Sequence, residues 1–218
     1  MTDIFVVKFK TGDGIEVVGD YYPADSKQAT LLLHMMPADR KSWIVFAKKL
    51  QQAGFQALAI DFRGHGESQG GPDGYKKFSD EEHQSSRLDV VAGVEFLKSK
   101  KAEKIYLVGA SIGANLALES LVDHPEIDAA VLLSPGIDYR GIKTKPLIER
   151  LGSLQALFLA ASEEDTESFA AVQKLSEKID FNEDKKIKIF KGAGHGTTIF
   201  ERNPLFMDEV TDWLKNLK

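Results

Sequence analysis

The pattern Gly109-x-Ser111-x-Gly113 contains a residue that could act as a nucleophile. It follows directly on an apolar segment at 104–108 that is predicted to be a buried strand, and it opens a predicted helix of small side chains. Small neighbours let a strand, a serine and a helix approach closely in a tight turn. Such a turn places the hydroxyl at a helix N-terminus, where backbone N–H groups favour developing negative charge. The pattern predicts Ser111 as the nucleophile of an acyl transfer; an ordinary tight turn is the alternative.

A serine nucleophile needs a base, because its hydroxyl is hardly ionised at neutral pH. Of the five histidines, His195 is the best placed: it lies in a Gly-Ala-Gly-His-Gly segment between the last predicted strand and the last predicted helix. The small neighbours leave its imidazole uncrowded. A carboxylate that orients the base is expected on the loop after the preceding strand. Asp165 and Glu164 both lie there, and Asp138 on the previous loop is a further candidate.

Short β-rich segments alternate with amphipathic stretches along the whole chain, which predicts a mostly parallel sheet with helices on both faces. The first connection carries Asp13-Gly14, so the sheet is expected to start with an antiparallel hairpin. About eight strands are predicted, at residues 4–10, 15–22, 30–33, 55–60, 104–108, 129–133, 154–160 and 186–190. Helices are predicted at about 42–53, around 88–97, after Ser111 and at about 204–217.

The chain shows no linker, repeat or low-complexity segment, so we expect one domain over 1–218. The stretch between the strands at 129–133 and 154–160 leaves room for a short helix and for no large cap domain. The third predicted helix directs Ala114, Ala117, Leu118 and Leu121 inward, and the second carries Leu88, Val91, Val94 and Leu97 at three-residue spacing.

Composition excludes several classes of function. The formal net charge of −5, with basic residues spread along the chain, gives no basic face for nucleic acid. The absence of cysteine excludes disulfides, a thiolate nucleophile and cysteine-based metal sites. His34, Asp39, Asp61 and His65 lack a recognisable metal-ligand spacing, so no metal and no cofactor are predicted. An early acid and a short apolar run at the N-terminus predict a cytoplasmic protein without a signal peptide or membrane span.

From Leu31 to the final helix the sequence resembles the α/β-hydrolases, in particular the compact bacterial esterase and dienelactone-hydrolase-like branch. The segment LLLHMMP at 31–37 resembles the family's His-Gly strand end, with Met35 where glycine is usual. The segment DFRGHGES at 61–68 is similar to one that is common in the family. The acids at 163–165 resemble the family's acid loop, which favours Asp165 and gives the chain order Ser111, Asp165, His195.

The resemblance also implies an oxyanion hole and a reaction. One backbone donor would be Ile112, and the other Met36, or Met35 if the register slips by one. His34 and His65 are expected to support loops. Dienelactone hydrolases that use cysteine, and relatives that use aspartate at the turn, are set aside because this chain has serine there.

Together these features predict hydrolysis of small carboxylic esters through an acyl-enzyme. The expected partner is therefore a small-molecule ester. Met35, Ile199 and Phe200 are predicted to line the substrate pocket, although they fit equally well as core residues beneath it. A thioesterase, a small serine peptidase and a ligand-binding protein without catalysis are the alternative functions.

Overall fold

The computed structural model describes residues 3–179 and 184–217 and is built around one eight-stranded sheet with the order β1-β2-β4-β3-β5-β6-β9-β10. The strands are β1 (Phe5–Lys10), β2 (Glu16–Tyr22), β3 (Gln28–Leu33), β4 (Gln56–Ile60), β5 (Lys104–Ala110), β6 (Ala129–Leu133), β7 (Asp138–Tyr139), β8 (Ile142–Lys143), β9 (Ala156–Ser162) and β10 (Lys185–Phe190). The helices are α1 (Ile44–Gln52), α2 (Asp80–Gln84), α3 (Arg87–Ser99), α4 (Ile112–Asp123), α5 (Thr144–Ile148), α6 (Thr166–Ser176), α7 (Thr198–Arg202) and α8 (Pro204–Asn216). The predicted eight-stranded α/β architecture is confirmed.

The sheet is parallel from β4 through β10 and antiparallel at its start. β1 pairs with β2, and β2 with β4, in antiparallel register, and the remaining neighbours are parallel. The predicted hairpin is confirmed: Thr11 N–H donates to the Ile15 carbonyl at 2.9 Å across the turn. Because parallel strands all end at one edge of the sheet, the loops after β3, β5, β6, β9 and β10 meet there.

Two helical layers cover the sheet, each with its own apolar cluster. The α1/α8 layer, which also includes α7, buries both tryptophans, Trp43 and Trp213. The α3/α4/α6 layer packs on the other face and buries the inward residues predicted for α4. In the part of the chain that the structure describes, no helix is long and apolar enough to cross a membrane.

The buried stripe of α3 differs from the predicted one. Val90, Gly93, Val94 and Leu97 face the sheet, whereas Leu88 and Val91 are only partly buried. A Cβ atom on Gly93 would lie 2.9 Å from Leu31 Cδ1, so the helix approaches β3 closely. Val94 and Leu97 of the predicted series are thus buried, whereas Val90 and Gly93 take the places of Leu88 and Val91, because four-residue steps also build a helix face.

The strand predicted at 154–160 begins and ends two residues later. Leu154 is 97% exposed and lies outside the sheet. β9 instead continues through Ala161 and Ser162, which are fully buried and pair with Ile189 and Phe190 of β10. The shift brings the acid loop directly to the end of the strand.

A short hairpin and a helix occupy the segment between β6 and β9. β7 and β8 pair with each other, and α5 follows as the expected short helix. The buried Asn115 side chain on α4 accepts from Gly136 N at 3.0 Å and donates to the Ile142 carbonyl at 2.8 Å. Across the surface, Gln84 Nε2 of α2 donates to the Arg140 carbonyl at 2.9 Å. The hairpin is thus tied to both α4 and α2.

Two buried arginines hold the long loop after β4. Arg40 contacts Asp20, Asp61 and the more exposed Glu67. Arg63 contacts the fully buried Asp89 at 2.8 Å and, at the surface, Asp13 at 2.7 Å. A buried guanidinium with several carboxylate partners keeps its charge satisfied and fixes the geometry of the elements it joins.

Candidate active site

Ser111 lies in a strained turn between β5 and α4. Its φ of 55° and ψ of −120° place it in a region that side-chain-bearing residues rarely adopt. A Cβ atom on Gly109 would overlap the Gly113 carbonyl oxygen, and one on Gly113 would overlap the Leu33 carbonyl oxygen. Glycine at both positions is therefore what allows β5, α4 and β3 to approach each other at the serine.

His195 and Asp165 are brought together. His195 Nδ1 lies 2.7 Å from Asp165 Oδ2, and the imidazole is 39% exposed while the carboxylate is 15% exposed. Asp138 has another partner, since its Oδ1 accepts from Gly141 N at 2.7 Å within the β7–β8 turn. The bond to Asp165 leaves Nε2 as the ring nitrogen available to a reacting group.

Glu164, the alternative acid, contacts the backbone of the histidine loop, which comprises residues 191–197 between β10 and α7. Its Oε2 accepts from Gly192 N at 2.8 Å and its Oε1 from Gly194 N at 2.6 Å. Ser162 Oγ donates to the same carboxylate at 2.6 Å and accepts from Ala193 N at 2.9 Å. The Ser162 hydroxyl, followed by the Gly194 and Gly192 amides, lowers the pKa of Glu164 to about 2. These contacts bind three successive N–H groups immediately before the histidine.

The histidine loop packs against the serine turn. Gly196 N donates to Ser134 Oγ at 2.9 Å, and Ser134 is itself in a left-handed conformation with φ of 52° at the end of β6. A Cβ atom on Gly196 would overlap Met35 Sδ and lie 3.4 Å from the Ala110 Cβ. The residue after His195 therefore lies between the loop after β3 and the residue preceding Ser111.

His34 fixes the loop after β3. Its Nε2 accepts from Phe62 N at 3.0 Å, which requires the ring proton to be on Nδ1, and Nδ1 lies 2.9 Å from the Met35 carbonyl oxygen. Burial lowers the pKa of His34 to about 4, consistent with a neutral ring that donates to Met35. Because a trans peptide directs its C=O and N–H to opposite sides, this bond also sets the direction of the Met36 N–H.

Ile112 and Met36, the predicted backbone donors, begin from neighbouring positions in the sheet. Leu33 of β3 and Gly109 of β5 are register partners. Ile112 is the first residue of α4, so its N–H has no acceptor within the helix. The loops that carry the two donors therefore leave adjacent strands side by side.

The predicted pocket residues divide into two groups. Met35 is partly exposed and contacts the histidine loop. Ile199 and Phe200 are 0% and 4% exposed, and Phe200 packs against Phe46 with the two rings tilted and their centroids 4.7 Å apart. Their burial places them in the α1/α8 layer beneath the site, where the sequence had equally allowed them.

His65 is buried in the loop after β4 and stacks on Tyr75, with centroids 4.1 Å apart. Its Nδ1 lies 3.1 Å from the Arg63 carbonyl oxygen, whereas its buried Nε2 has no hydrogen-bond partner in the structure. Burial lowers the pKa of His65 to about 4.

No cluster of three or more His, Asp or Glu suited to a metal ion occurs among residues 3–179 and 184–217.

No sequence pattern pointed to Ser134 and Ser162, or to the contact of Glu164 with the loop before His195. Each is a common polar residue, and each acts through backbone N–H groups far away in the sequence. The signal that could have found them is the Gly-Ala-Gly segment, whose left-handed glycines at 192 and 194 leave N–H groups pointing together.

The strand order and the strained serine turn define an α/β-hydrolase of the esterase-like kind. The chain belongs to the family described as serine aminopeptidase, S33, whose sequence profile matches residues 24–160. A probable alcohol acetyltransferase of Cyberlindnera fabianii is 28% identical over 102 residues, which is 46% of this chain and 25% of that protein. The chain thus matches about a quarter of the length of this curated relative.

Solved structures of similar fold include hydrolases. An esterase of Pyrococcus furiosus superposes with a TM-score of 0.81 at 23% identity, covering 99% of this chain and 91% of that one. DcsB, in complex with its substrate analogue, gives 0.84 at 18% identity, covering 99% and 100%. A dienelactone hydrolase from Anabaena variabilis gives 0.79 at 19% identity, covering 99% and 98%. At these identities the likeness establishes the fold.

Proposed function

We propose that this protein is a serine hydrolase that cleaves small carboxylic esters through an acyl-enzyme. The observation that carries the proposal is the 2.7 Å contact between His195 Nδ1 and Asp165 Oδ2, because His195 lies on a loop that packs against the strained turn of Ser111. Membership of the family and the likeness to esterase folds support the same class of chemistry.

In the first half of the reaction, His195 Nε2 takes the proton of Ser111 Oγ as the oxygen attacks the ester carbonyl carbon. Asp165 accepts from Nδ1 and stabilises the imidazolium that forms. The backbone N–H groups of Ile112 and Met36 donate to the oxyanion of the tetrahedral intermediate. The intermediate collapses, the bond to the alcohol oxygen breaks, and His195 returns its proton to the leaving alcohol.

In the second half, a water molecule gives its proton to His195 and attacks the acyl-serine carbonyl. A second tetrahedral intermediate forms on the same two N–H donors and collapses to the carboxylic acid and free Ser111. The proton held by His195 returns to the serine oxygen, so the enzyme is restored.

The surroundings of Ser111 favour small substrates. The segment between β6 and β9 holds only a two-stranded hairpin and a short helix, and Met35 offers an adaptable apolar side chain beside the histidine loop. Ile199 and Phe200 belong to the buried cluster of the α1/α8 layer, against which Met35 packs.

The test is fluorophosphonate labelling of the wild type and of Ser111→Ala, measured by intact mass, with turnover of p-nitrophenyl esters from acetate to decanoate. We expect one label per wild-type chain, fastest turnover on short acyl chains, and loss of both in the variant. A wild type that is neither labelled nor active would refute the hydrolase and favour a ligand-binding protein. Acyl-thioesters and aminoacyl p-nitroanilides are tested in the same way. If either class is turned over far faster than the p-nitrophenyl esters, a carboxylic ester is not the preferred substrate.

Acyl transfer to an alcohol is a second candidate, favoured by the similarity to a probable alcohol acetyltransferase. The same acyl-serine would be attacked by an alcohol oxygen in place of water. To separate the two activities, the enzyme is given p-nitrophenyl acetate in the presence of ethanol, and the ethyl acetate that forms is measured. Product that remains acetate at high ethanol concentration would leave hydrolysis as the function.

A further inference from the structure

The glycine-rich loop before His195 forms a concave backbone site that holds an anion. Gly192 and Gly194 have φ values of 68° and 78°, and Ala193 lies between them. Alternation of this kind turns successive N–H groups toward one point, which is the arrangement that binds carboxylates and phosphates in proteins. Here the anion is supplied by the chain itself, since the two oxygens of Glu164 accept from the two glycine amides.

The remaining amide of this backbone site, that of Ala193, is bound by the serine that also contacts Glu164. Ser162 Oγ accepts from Ala193 N at 2.9 Å and donates to Glu164 at 2.6 Å, so a hydroxyl and a carboxylate together satisfy three consecutive donors. On the other side of the loop, Arg202 Nη1 donates to the Gly192 carbonyl at 3.0 Å. The loop is held from both sides immediately before the histidine.

We propose that Glu164 is a positioning residue that holds His195 in its productive place by filling this backbone anion site. The proposal rests on the proposed function, in which His195 is the base. Asp165 orients the imidazole ring through Nδ1, and Glu164 sets the position of the backbone that carries His195. Two adjacent carboxylates thus act on the same histidine, one through its side chain and one through its loop.

The alternative is that Glu164 is a surface acid whose contacts affect only stability. Its carboxylate is exposed, which makes it accessible to replacement by a small ion from solution. If the backbone site requires an anion, Glu164→Ala should leave a vacancy that formate or acetate can fill. A residue important only for stability would show no such recovery.

The experiment compares Glu164→Ala and Glu164→Gln with Glu163→Gln on a p-nitrophenyl ester. Glu163 is the matched control, since it is the adjacent exposed acid and pairs with Lys191 at 3.5 Å. We expect kcat to fall about 10- to 100-fold in Glu164→Ala with KM within about twofold, the size of effect that misplacing a catalytic group produces. Added formate should restore kcat several-fold, and formamide should not. Glu163→Gln should keep wild-type kcat.

A second readout does not depend on activity. The histidines are labelled with ¹⁵N and observed by NMR, and the His195 signals are identified as those missing in His195→Asn. In the wild type, we expect His195 to be mostly the Nδ1–H tautomer. Glu164→Ala should show a mixture of tautomers that formate shifts back. Wild type without ester turnover would refute the proposed function while this spectrum still tests the positioning role. Unchanged kcat and an unchanged spectrum in Glu164→Ala would overturn the inference, as would unfolding of both Glu164 variants.

Discussion

At the level of single residues, Asp165 and Glu164 are adjacent and chemically similar acids that have different partners. Asp165 contacts the imidazole of His195, whereas Glu164 contacts backbone amides of the loop that carries it. The separation follows from the turn after β9, in which Asp165 N donates to the Ser162 carbonyl at 3.0 Å. Neighbouring carboxylates on one loop can therefore hold the same functional group through independent contacts.

Asp165→Asn is predicted to lower kcat about 10⁴-fold with little change in folding. The amide can donate to Nδ1 and stabilise the tautomer in which Nε2 carries the proton, which prevents His195 from taking the serine proton. Steady-state kinetics on a p-nitrophenyl ester and a urea unfolding curve measure the two effects. Glu163→Gln is the control; wild-type turnover by Asp165→Asn would reject Asp165 as the orienting acid.

The sequence could name the residues of the candidate site more readily than the contacts of each one. The Ser111 turn is local, because its glycines and its flanking strand and helix are contiguous in the chain. The choice between Asp165 and Glu164 is not local, because it depends on how one turn directs two side chains toward a loop some thirty residues away. Resemblance to a family favoured Asp165, and it gave no sign of what Glu164 contacts.

At the level of elements, the close approach of β5 and α4 depends on the glycines around Ser111. Gly109→Ala is predicted to destabilise the protein by more than about 3 kcal/mol, because the added methyl group would overlap the backbone of Gly113 and neither element can move independently. Urea denaturation measures the change in the free energy of unfolding. Gly12→Ala is the control: a Cβ there meets nothing within 4 Å, so its effect should stay within about 0.5 kcal/mol. Equal stability of the two variants would contradict the tight approach.

The β7–β8 hairpin depends on one buried amide. Asn115→Ala is predicted to lower the free energy of unfolding by about 2–4 kcal/mol, since it leaves Gly136 N and the Ile142 carbonyl without their buried partner. The matched control is Gln84→Ala, which removes an exposed bond to the same hairpin and should cost less than about 1 kcal/mol. Similar losses for both variants, measured by urea unfolding, would show that Asn115 is not the main anchor.

Most elements with strong hydrophobic patterning were predictable, whereas the short elements and the helix α6 (Thr166–Ser176) were not placed. The central strands are continuous apolar segments, and their positions agree with the structure to within about two residues. The strands β7 and β8 have two residues each, which is too short for an alternating pattern. They are held by Asn115 of α4, which donates to the Ile142 carbonyl of β8 and accepts from Gly136 N just before β7, so their cause lies outside the segment.

At the level of the whole molecule, three buried histidines, His34, His65 and His83, have pKa values lowered by burial, which links stability to pH. Burial lowers the pKa of His34 and of His65 from 6.5 to about 4. As the pH falls below about 6.5, the unfolded chain binds protons that the folded chain does not accept until about pH 4. The stability that His34 and His65 contribute is therefore fully present above pH 6.5 and decreases through this window, by about 1.4 kcal/mol per pH unit for each of the two, whereas Asp89, whose pKa burial raises to about 6, contributes with the opposite sign.

His65→Phe is predicted to reduce this slope by about one histidine's share, roughly 1.4 kcal/mol per pH unit. Phenylalanine keeps the stacking on Tyr75 and removes a titrating ring. The measurement is the free energy of unfolding in urea at several pH values between 6.5 and 4.5. Ile105→Val, a buried change without a titrating group, should shift all values equally. A slope in His65→Phe equal to that of the wild type would exclude His65 as a source of the pH dependence.

The order of the strands could not be derived from the local pattern. Hydrophobic periodicity identifies each strand, but β4 lies between β2 and β3 because of how the long connections cross the sheet. The buried ion pairs of Arg40 and Arg63 that secure one of these connections join residues far apart in sequence. Such pairings depend on the assembled fold.

The placement of the two tryptophans has a spectroscopic consequence. Trp43 and Trp213 both belong to the α1/α8 layer, so intrinsic indole emission reports on one side of the sheet only. A melting curve followed by fluorescence would not register loosening of the α3/α4/α6 side, whereas circular dichroism averages over both. Coincidence of the two curves would show that the layers unfold as one cooperative unit. Phe96→Trp on α3 would give the silent side its own optical reporter.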